Sequence, residues 1–520
     1  MRSDRFYVTT AIAYVNGAPH IGFALEVIQA DVLARYNRLL GKEVFYLTGV
    51  DEHGVKLYET AQKVGMDTQA FADSNAVKFE NLKTVLNLSN SDFIRTTSER
   101  HKRGAQKIWS KMFEKGDIYK NSYEGKYCVG CEAYLTEKDL DENGNCLIHK
   151  TKPTIIKEEN YFFKLSKYSD KIRTLIESDE LKIVPESRKN EMLALIGEGL
   201  HDVSFSRPKN VLPWGIDVPG DETQVMYVWC DALSNYITAL GYEHESENFQ
   251  KFWPASAQII GKDILRFHAG IWPGMLMSAE LALPASLFVH GFITSNGQKM
   301  SKSLGNVIDP AEEIEKYGVD AFRYVLIRDT HYGNDGDYTE KSAVMRMNTD
   351  LANDLGNLLN RTLGMMKKYF NSTLPVEFEK AQLDCEIETL FTQTLEKYHK
   401  YMGEFQLSKA FESVWEFVSR LNKYIDESAP WTLAKDESKQ ARLASVMRVL
   451  IEGLSKIAIL IHPVMPGTTP KILSQLNLSI GRDEASLSLE GLERWEVVQG
   501  GHTVNSAEPI FPRIELEAKN

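Results

Sequence analysis

Three groups of residues in this sequence are spaced for chemistry. The first is Cys128, Cys131, Cys146 and His149, a Cys-x2-Cys-x14-Cys-x2-His array. Three thiolates and an imidazole form a closed tetrahedral zinc site with no open position for a substrate, so a structural Zn2+ is expected. Disulfides would need an oxidising compartment. Cys230 and Cys385 stand alone and read as packing residues. The second group is Ala18-Pro19-His20-Ile21-Gly22, where a turn runs into a helix. Unpaired N–H groups and the positive dipole end make such a turn an anion site. Gly22 lets a phosphate or flat ring approach the backbone, and His20 can donate to phosphate oxygens. The third is Lys299-Met300-Ser301-Lys302-Ser303, two ammonium groups three residues apart among hydroxyls, suited to a triphosphate. Each phosphate element alone also fits a plainer role, a capping histidine or a solvated basic loop. Two of them, each following a strand, favour a bound nucleotide.

Those residues need a scaffold. Tyr7 to Thr10 reads as a buried strand. Asn16 to Pro19 is turn chemistry, and a helix starts near His20 with apolar residues at Ile21, Leu25, Ile28, Val32, Tyr36 and Leu39. Gly41 ends it. Val44 to Leu47 is a second strand, and Asp51 follows at its carboxyl end, where open α/β sheets bind ligands. Asp51 can hold a substrate ammonium there, or cap the next helix. Helical patterns over 68–86 and 99–115 flank a short strand, Phe93 to Arg95. This alternation predicts a split, doubly wound parallel sheet of the Rossmann-like α/β kind. Its first half spans 1–116. An insertion over 117–225 carries the cysteine array and strand signals at Asn160–Leu165 and Val203–Ser206. The second half, 226–342, resumes the sheet with Met226 to Ala232. Further strands follow at Ile259–Ile264, ending in the polar pair Lys262 and Asp263, and at Leu287–Thr294. Trp229, Tyr236, His268 and Trp272 make this half rich in aromatic rings.

Beyond it, helical periodicity over 343–371, 383–402, 407–426 and 436–461 predicts an antiparallel all-α bundle within 343–520. Asn357 and Arg361, four apart, share a face. Ala429-Pro430-Trp431 presents an indole. Arg, Asn and Trp together could stack on and hydrogen-bond unpaired RNA bases, though surface polar groups and a packed Trp would look the same.

Composition bounds the class. At 520 residues, 43% hydrophobic and 25% charged, the chain is an ordinary multidomain globular protein. A net charge of −12 argues against nucleic-acid binding by bulk electrostatics but leaves room for a local basic face. No apolar run approaches the ~20 residues of a membrane span, and no signal peptide precedes the first strand, so a cytoplasmic, non-membrane protein is expected.

The paired His20-Ile21-Gly22 and Lys299-Met300-Ser301-Lys302-Ser303 resemble the signatures of class I aminoacyl-tRNA synthetases. Val50-Asp51-Glu52-His53-Gly54, Tyr227-Val228-Trp229, Gly261-Lys262-Asp263, Phe267-His268, Ala429-Pro430-Trp431 and the closing Phe511-Pro512-Arg513-Ile514-Glu515 narrow the resemblance to the methionyl-tRNA synthetase family, with its single three-Cys, one-His knuckle. The resemblance implies ATP-dependent formation of methionyl-adenylate, assisted by Mg2+, then transfer to tRNA(Met). It implies that His20, Lys299 and Lys302 are catalytic. ATP would be held by Pro19, His20, Gly22, Lys262, Asp263, Lys299, Met300, Ser301, Lys302 and Ser303. A methionine pocket would be formed by Ala11, Ile12, Tyr14, Asp51, Trp229, Ala232, Tyr236, Ile264, His268 and Trp272. Asn357, Arg361 and Trp431 would read the CAU anticodon. The family signature usually ends in a second histidine; here the position is Phe23, which cannot donate to phosphate. The chain stops after the bundle, without the appended dimerisation domain of some members, so a monomer is expected. Two alternatives are a class I enzyme for another aliphatic amino acid and a non-catalytic tRNA-binding relative.

Overall fold

The computed structural model describes residues 4–131, 133–135, 137–300, 305–330, 332–479 and 486–515. Its centre is a parallel sheet of β1 (Arg5–Thr10), β2 (Glu43–Asp51), β3 (Asp92–Arg95), β4 (Lys182–Val184), β5 (Ala257–Gly261) and β6 (Ser286–His290), in the order β3-β2-β1-β5-β6-β4. Ala13–Tyr14 prolongs the β1 side by pairing with Val50 and Asp51. Val8 and Thr9 pair with Ala257 and Gln258 on one side, and with Tyr46 and Leu47 on the other. The order therefore reverses between β1 and β5, and in such sheets the carboxyl ends of the strands at this switch point are where a ligand crevice is expected. The expected doubly wound α/β sheet is present, and its buried strands carry the Val, Ile, Leu and Tyr runs such a sheet needs.

Two expectations about the middle of the chain are corrected. Lys182–Val184 pairs in parallel with Ser286–Phe288 and closes one edge of the sheet, so 117–225 is not a single inserted unit. A three-residue strand carries too little periodicity to be seen in sequence. The run Met226 to Ala232, expected to resume the sheet, is instead the end of an antiparallel strand, Asp221–Met226, followed by a short helix, Val228–Leu233. A brief apolar run reads equally as either. The rest of the insertion is a second sheet, with Ile118–Cys128 antiparallel to both Ala133–Leu135 and Thr154–Phe163.

The helix α1 (Ile21–Leu39) follows β1 and is buried on nearly every face. Gly41, at φ +76°, ends it as a left-handed C′ residue. A helix buried all round must pair its polar side chains internally. Asp31 does so: its carboxylate accepts from Arg35 Nε at 2.8 Å, from Arg323 Nη2 at 2.6 Å, and from the Ser89 N–H and hydroxyl. Arg323, fully buried on the helix Val319–Asp329, also donates to the carbonyls of Leu86, Pro463 and Val464. Burial alone would raise the Asp31 pKa, but Arg35 and Arg323 hold it well below the carboxylate range.

The bundle is built from a long helix running from Glu340 to Phe370, wound as a π-helix over Met347–Gly356, then Gln382–Gly403, Leu407–Ser428 and Gln440–Ile461. Its core is continuous with that of α1: Ile28, Tyr36, Tyr398 and Leu450 belong to one buried cluster. The closing Phe-Pro-Arg-Ile-Glu motif docks on the bundle, where the Asn348 amide exchanges two hydrogen bonds of 2.8 Å with the backbone of Ile514.

Truncating Arg323 to Ala leaves Asp31 buried beside a single remaining guanidinium. A loss of roughly 3–5 kcal/mol in urea unfolding is expected, and a loss below about 1 kcal/mol would contradict the clamp. The contribution of Asp31 is present above its unfolded value of about pH 4 and is lost as pH falls through its depressed folded value.

Candidate active site and metal knuckle

The turn after β1 ends in His20, the N-cap of α1, with extended backbone. Its Nδ1 accepts the Gly22 N–H at 3.0 Å, so in the neutral ring the hydrogen sits on Nε2. A Cβ at Gly22 would lie 2.8 Å from the imidazole Cε1, so only glycine lets the ring fold over the first turn. The Ile21 N–H donates to Ile308 O at 3.1 Å, which joins this turn to the segment just past the Lys299 loop. The segment at Ile308, nearly 290 positions further along the sequence, is thereby brought to the His20 turn. Phe23 packs edge-on against Phe79, with ring centroids 5.3 Å apart, and is part of the core.

Lys262 and Lys299 converge on one ring. Their Nζ atoms lie 4.6 and 5.4 Å from the centroid of Phe292, a contact that no spacing in the sequence indicated. Lys262 also pairs with both oxygens of Asp335 at 2.7 Å. Met300 packs against the core that holds α1, Pro19 is half-buried, and Asp263 is exposed at the mouth. Ser301, Lys302 and Ser303 lie outside the described residues.

At the other end of the crevice Asp51 is buried, with Tyr14 opposite it in register. Its Oδ1 accepts the His53 N–H at 3.2 Å. Tyr236 and Trp272 are buried in a hydrophobic cluster, and the half-buried Ala11, Ile12, Tyr14, Trp229 and Ile264 pack against it. Trp229 stacks flat on Phe267 at a centroid distance of 3.7 Å, and Ala232 is buried one turn further along the same helix. His268 Nδ1 donates to Ile264 O at 3.0 Å, and its Nε2 accepts from the Tyr236 hydroxyl at 2.6 Å. Burial takes the pKa of His268 down to about 4, so the ring is neutral. The wall is therefore aromatic and uncharged, suited to a polarizable apolar side chain, with one carboxylate at its rim. Of the ten residues expected to bind methionine, Ala11, Ile12, Tyr14, Trp229, Tyr236, Ile264 and Trp272 share this cluster and His268 is bonded to it through Tyr236.

Behind this wall lies a group whose role was not foreseen. Asp231 is fully buried and bonded to His53 Nδ1 at 2.6 Å and to His101 Nε2 at 2.7 Å. Burial would raise its pKa, but the two imidazoles hold it below the usual range. The only signal in sequence was a lone acid inside an apolar run.

Cys128, Cys131, Cys146 and His149 come together with their ligand atoms all within 4.8 Å of one another. Cys131 Sγ is 3.5 Å from Cys146 Sγ and 3.2 Å from His149 Nδ1, and Cys128 Sγ is 3.9 Å from that nitrogen. A tetrahedral metal with these ligands has edges of about 3.5–3.8 Å, so the set fits one ion. The His149 N–H donates to Cys146 Sγ at 3.4 Å. A Cβ on Gly130 would strike the His149 ring at 2.5 Å, so the glycine between the first two cysteines admits the fourth ligand. Burial, then the nearby Lys56 and Lys299, lower the His149 pKa and favour the neutral ring a metal needs.

Far from the crevice, Asn357 and Arg361 lie one turn apart, and Arg361 donates to Asp426 at 2.7 Å. Asp426 stands three residues before Ala429, whose left-handed backbone (φ +43°) turns the chain into Pro430–Leu433 and leaves Trp431 44% exposed. One end of the bundle thus carries all three expected anticodon residues.

Residues 6–147 and 137–363 match the family profile described as tRNA synthetases class I (M), and 384–500 match the anticodon-binding domain of tRNA ligase. A methionine–tRNA ligase of Fusobacterium nucleatum is 49% identical over 98% of this chain and 80% of that protein. The chain belongs to the methionine–tRNA ligase family. Another member, from Thermotoga maritima, is 44% identical over 99% of this chain and 81% of its own length. Among solved structures, Mycobacterium tuberculosis methionyl-tRNA synthetase in complex with methionyl-adenylate superposes with a TM-score of 0.92 at 39% identity, covering 98% of this chain and all of that one. Like those family members, this chain joins a parallel sheet to a helical anticodon-binding region. Among the described residues, no helix is long and apolar enough to cross a membrane.

The knuckle should hold one divalent ion per chain by metal analysis. Stripping it with a strong chelator, or Cys146→Ala, is expected to lower the thermal midpoint. An unchanged midpoint after verified metal loss would contradict a structural role.

Proposed function

We propose that the protein joins methionine to its tRNA in two steps, of which the first consumes ATP, and that the carboxyl ends of β1 and β5 are where this first step occurs. The observation that carries this reading is the match to methionine–tRNA ligases over nearly the whole chain, supported by the hydrogen bond that brings the segment beyond Lys299 to the His20 turn. Asp51 takes the α-ammonium of methionine. Trp229, Tyr236, His268 and Trp272 enclose the thioether, with Ala11, Ile12, Tyr14, Ala232 and Ile264 completing the walls. The methionine carboxylate attacks the α-phosphorus of ATP, the bond to the bridging oxygen breaks, and pyrophosphate leaves. Charge gathers on the phosphate oxygens, and donors aimed there stabilise the transition state more than the ground state. His20 Nε2, Lys299 and Lys302 fill that role, with Pro19, Gly22, Lys262, Asp263, Met300, Ser301 and Ser303 holding the nucleotide. Mg2+ supplies further positive charge at the phosphates when bound. Phe23 takes no part, since its ring is spent on packing against Phe79. In the second step a ribose hydroxyl of the terminal adenosine attacks the adenylate carbonyl and AMP leaves.

Zinc is the ion we assign to the knuckle, on its three-thiolate ligand set. Asn357, Arg361 and Trp431 read the CAU anticodon. The reading divides the chain at 1–116, 117–225, 226–342 and 343–520, with Lys182–Val184 returned to the sheet. It places a monomer in the cytoplasm.

Exchange of labelled pyrophosphate into ATP should depend on methionine. Faster exchange with another aliphatic amino acid, or tRNA binding with no exchange, would replace this reading with one of the two alternatives. Lys302→Ala should slow exchange by roughly 100-fold with tRNA affinity unchanged, and an unchanged rate would remove its catalytic role. Trp431→Ala should lower tRNA charging about tenfold or more while sparing exchange; equal losses would signify a folding defect.

A further inference from the structure

The buried trio His53, Asp231 and His101 touches no substrate in the reading above, yet it joins the segments that carry Asp51, Trp229, Ala232 and Tyr236. Asp231 lies on the helix Val228–Leu233, between Trp229 and Ala232. His53 donates from its ring to Asp231 Oδ2, while its backbone N–H donates to Asp51 Oδ1. His101, on the helix Glu99–Glu114, donates to Asp231 Oδ1, and its Nδ1 shares a 2.8 Å hydrogen bond with Thr238 Oγ1. Thr238 ends the short helix that carries Tyr236. Gly104, almost one turn beyond His101, comes so close that a Cβ there would lie 2.4 Å from Thr238 Cγ2. Four segments are thus tied through one carboxylate.

We propose that Asp231, gripped by His53 and His101, is a positioning residue that sets the spacing between the ammonium-binding carboxylate of Asp51 and the aromatic walls borne by Trp229, Ala232 and Tyr236. This rests on the methionine-site reading above. A buried ion pair is often no more stable than an apolar filler of the same volume. What the trio adds is direction. Each histidine can bond only one carboxylate oxygen, at one angle, so sliding any of the four segments breaks a bond whose loss leaves a buried polar group unsatisfied. Asparagine at 231 keeps the shape but offers one acceptor and one N–H2, so one histidine must either lose its bond or switch tautomer and give up the donor it presents on the other side.

The test is pyrophosphate exchange by the full chain, with KM measured separately for methionine and ATP. Asp231→Asn is expected to raise the methionine KM about tenfold, the size of one broken charge-assisted bond, with the ATP KM changed less than about twofold. His53→Ala should do the same, whereas His53→Asn, which places an amide N–H near the old Nδ1, should stay within about threefold of wild type. An unchanged methionine KM in Asp231→Asn, equal rises in both KM values, or His53→Asn as impaired as His53→Ala would overturn the proposal. If Asp231→Asn does not fold, the His53 pair decides alone. Asp51→Asn separates the two layers: no change in its methionine KM overturns the site reading beneath, whereas a rise there with none in Asp231→Asn or His53→Ala overturns only the positioning role.

Discussion

The carboxylate of Asp31 meeting the guanidinium of Arg323 is the constraint on which the arrangement depends. α1 is capped by His20, the residue proposed to meet the nucleotide, and its far end meets the chain again where Leu489 N–H bonds Leu39 O. Between those points Asp31 binds Arg323, and Arg323 binds carbonyls on both the sheet side, at Leu86, and the bundle side, at Pro463 and Val464. With the shared apolar core around them, these bonds make α1 a rod that cannot slide without unpairing two buried charges. A site that must hold phosphates within tenths of an ångström is thereby set on a rigid element rather than on a loop.

The charged and the neutral side chains of the proposed site are separated in the way adenylate formation would require. Cations stand at the mouth, where Lys262 and Lys299 share the face of Phe292 and Lys262 is parked on Asp335. The far end is neutral: the His268 imidazole accepts from Tyr236 instead of carrying charge, and Trp229 lies flat on Phe267. An uncharged side chain is welcome there, and a charged one would have to be desolvated without a partner. In the proposed reading Asp51 takes the ammonium and so fixes which end of the amino acid faces the phosphates.

Much of this was legible in residue types and spacing. The histidine–glycine turn, the two-lysine loop and the cysteine array name their chemistry because a few side chains at fixed offsets suffice for it. The parallel sheet followed from strands alternating with helices. What stayed hidden depends on distant pairings. Lys182–Val184 is too short to show a period, and it becomes an edge strand only because Ser286–His290 lies beside it. Met226 to Ala232 is apolar but for Asp231 and carries no period to decide between strand and helix. Asp231 looked like an interruption of that run, and its meaning needs His53 and His101, each more than a hundred residues away. Phe292 is unremarkable until two lysines from separate segments meet over its ring.

The central claim is that the His20 turn, the Lys299 loop and the Asp51 pocket enclose a single ligand. A crystal structure of the full chain with a non-hydrolysable methionyl-adenylate analogue tests it most directly. The account predicts the ammonium on Asp51, the thioether between Trp229 and His268, and the phosphate between His20 and the Lys299 loop. Density for the analogue in any other cavity, or a phosphate turned away from His20, would contradict it.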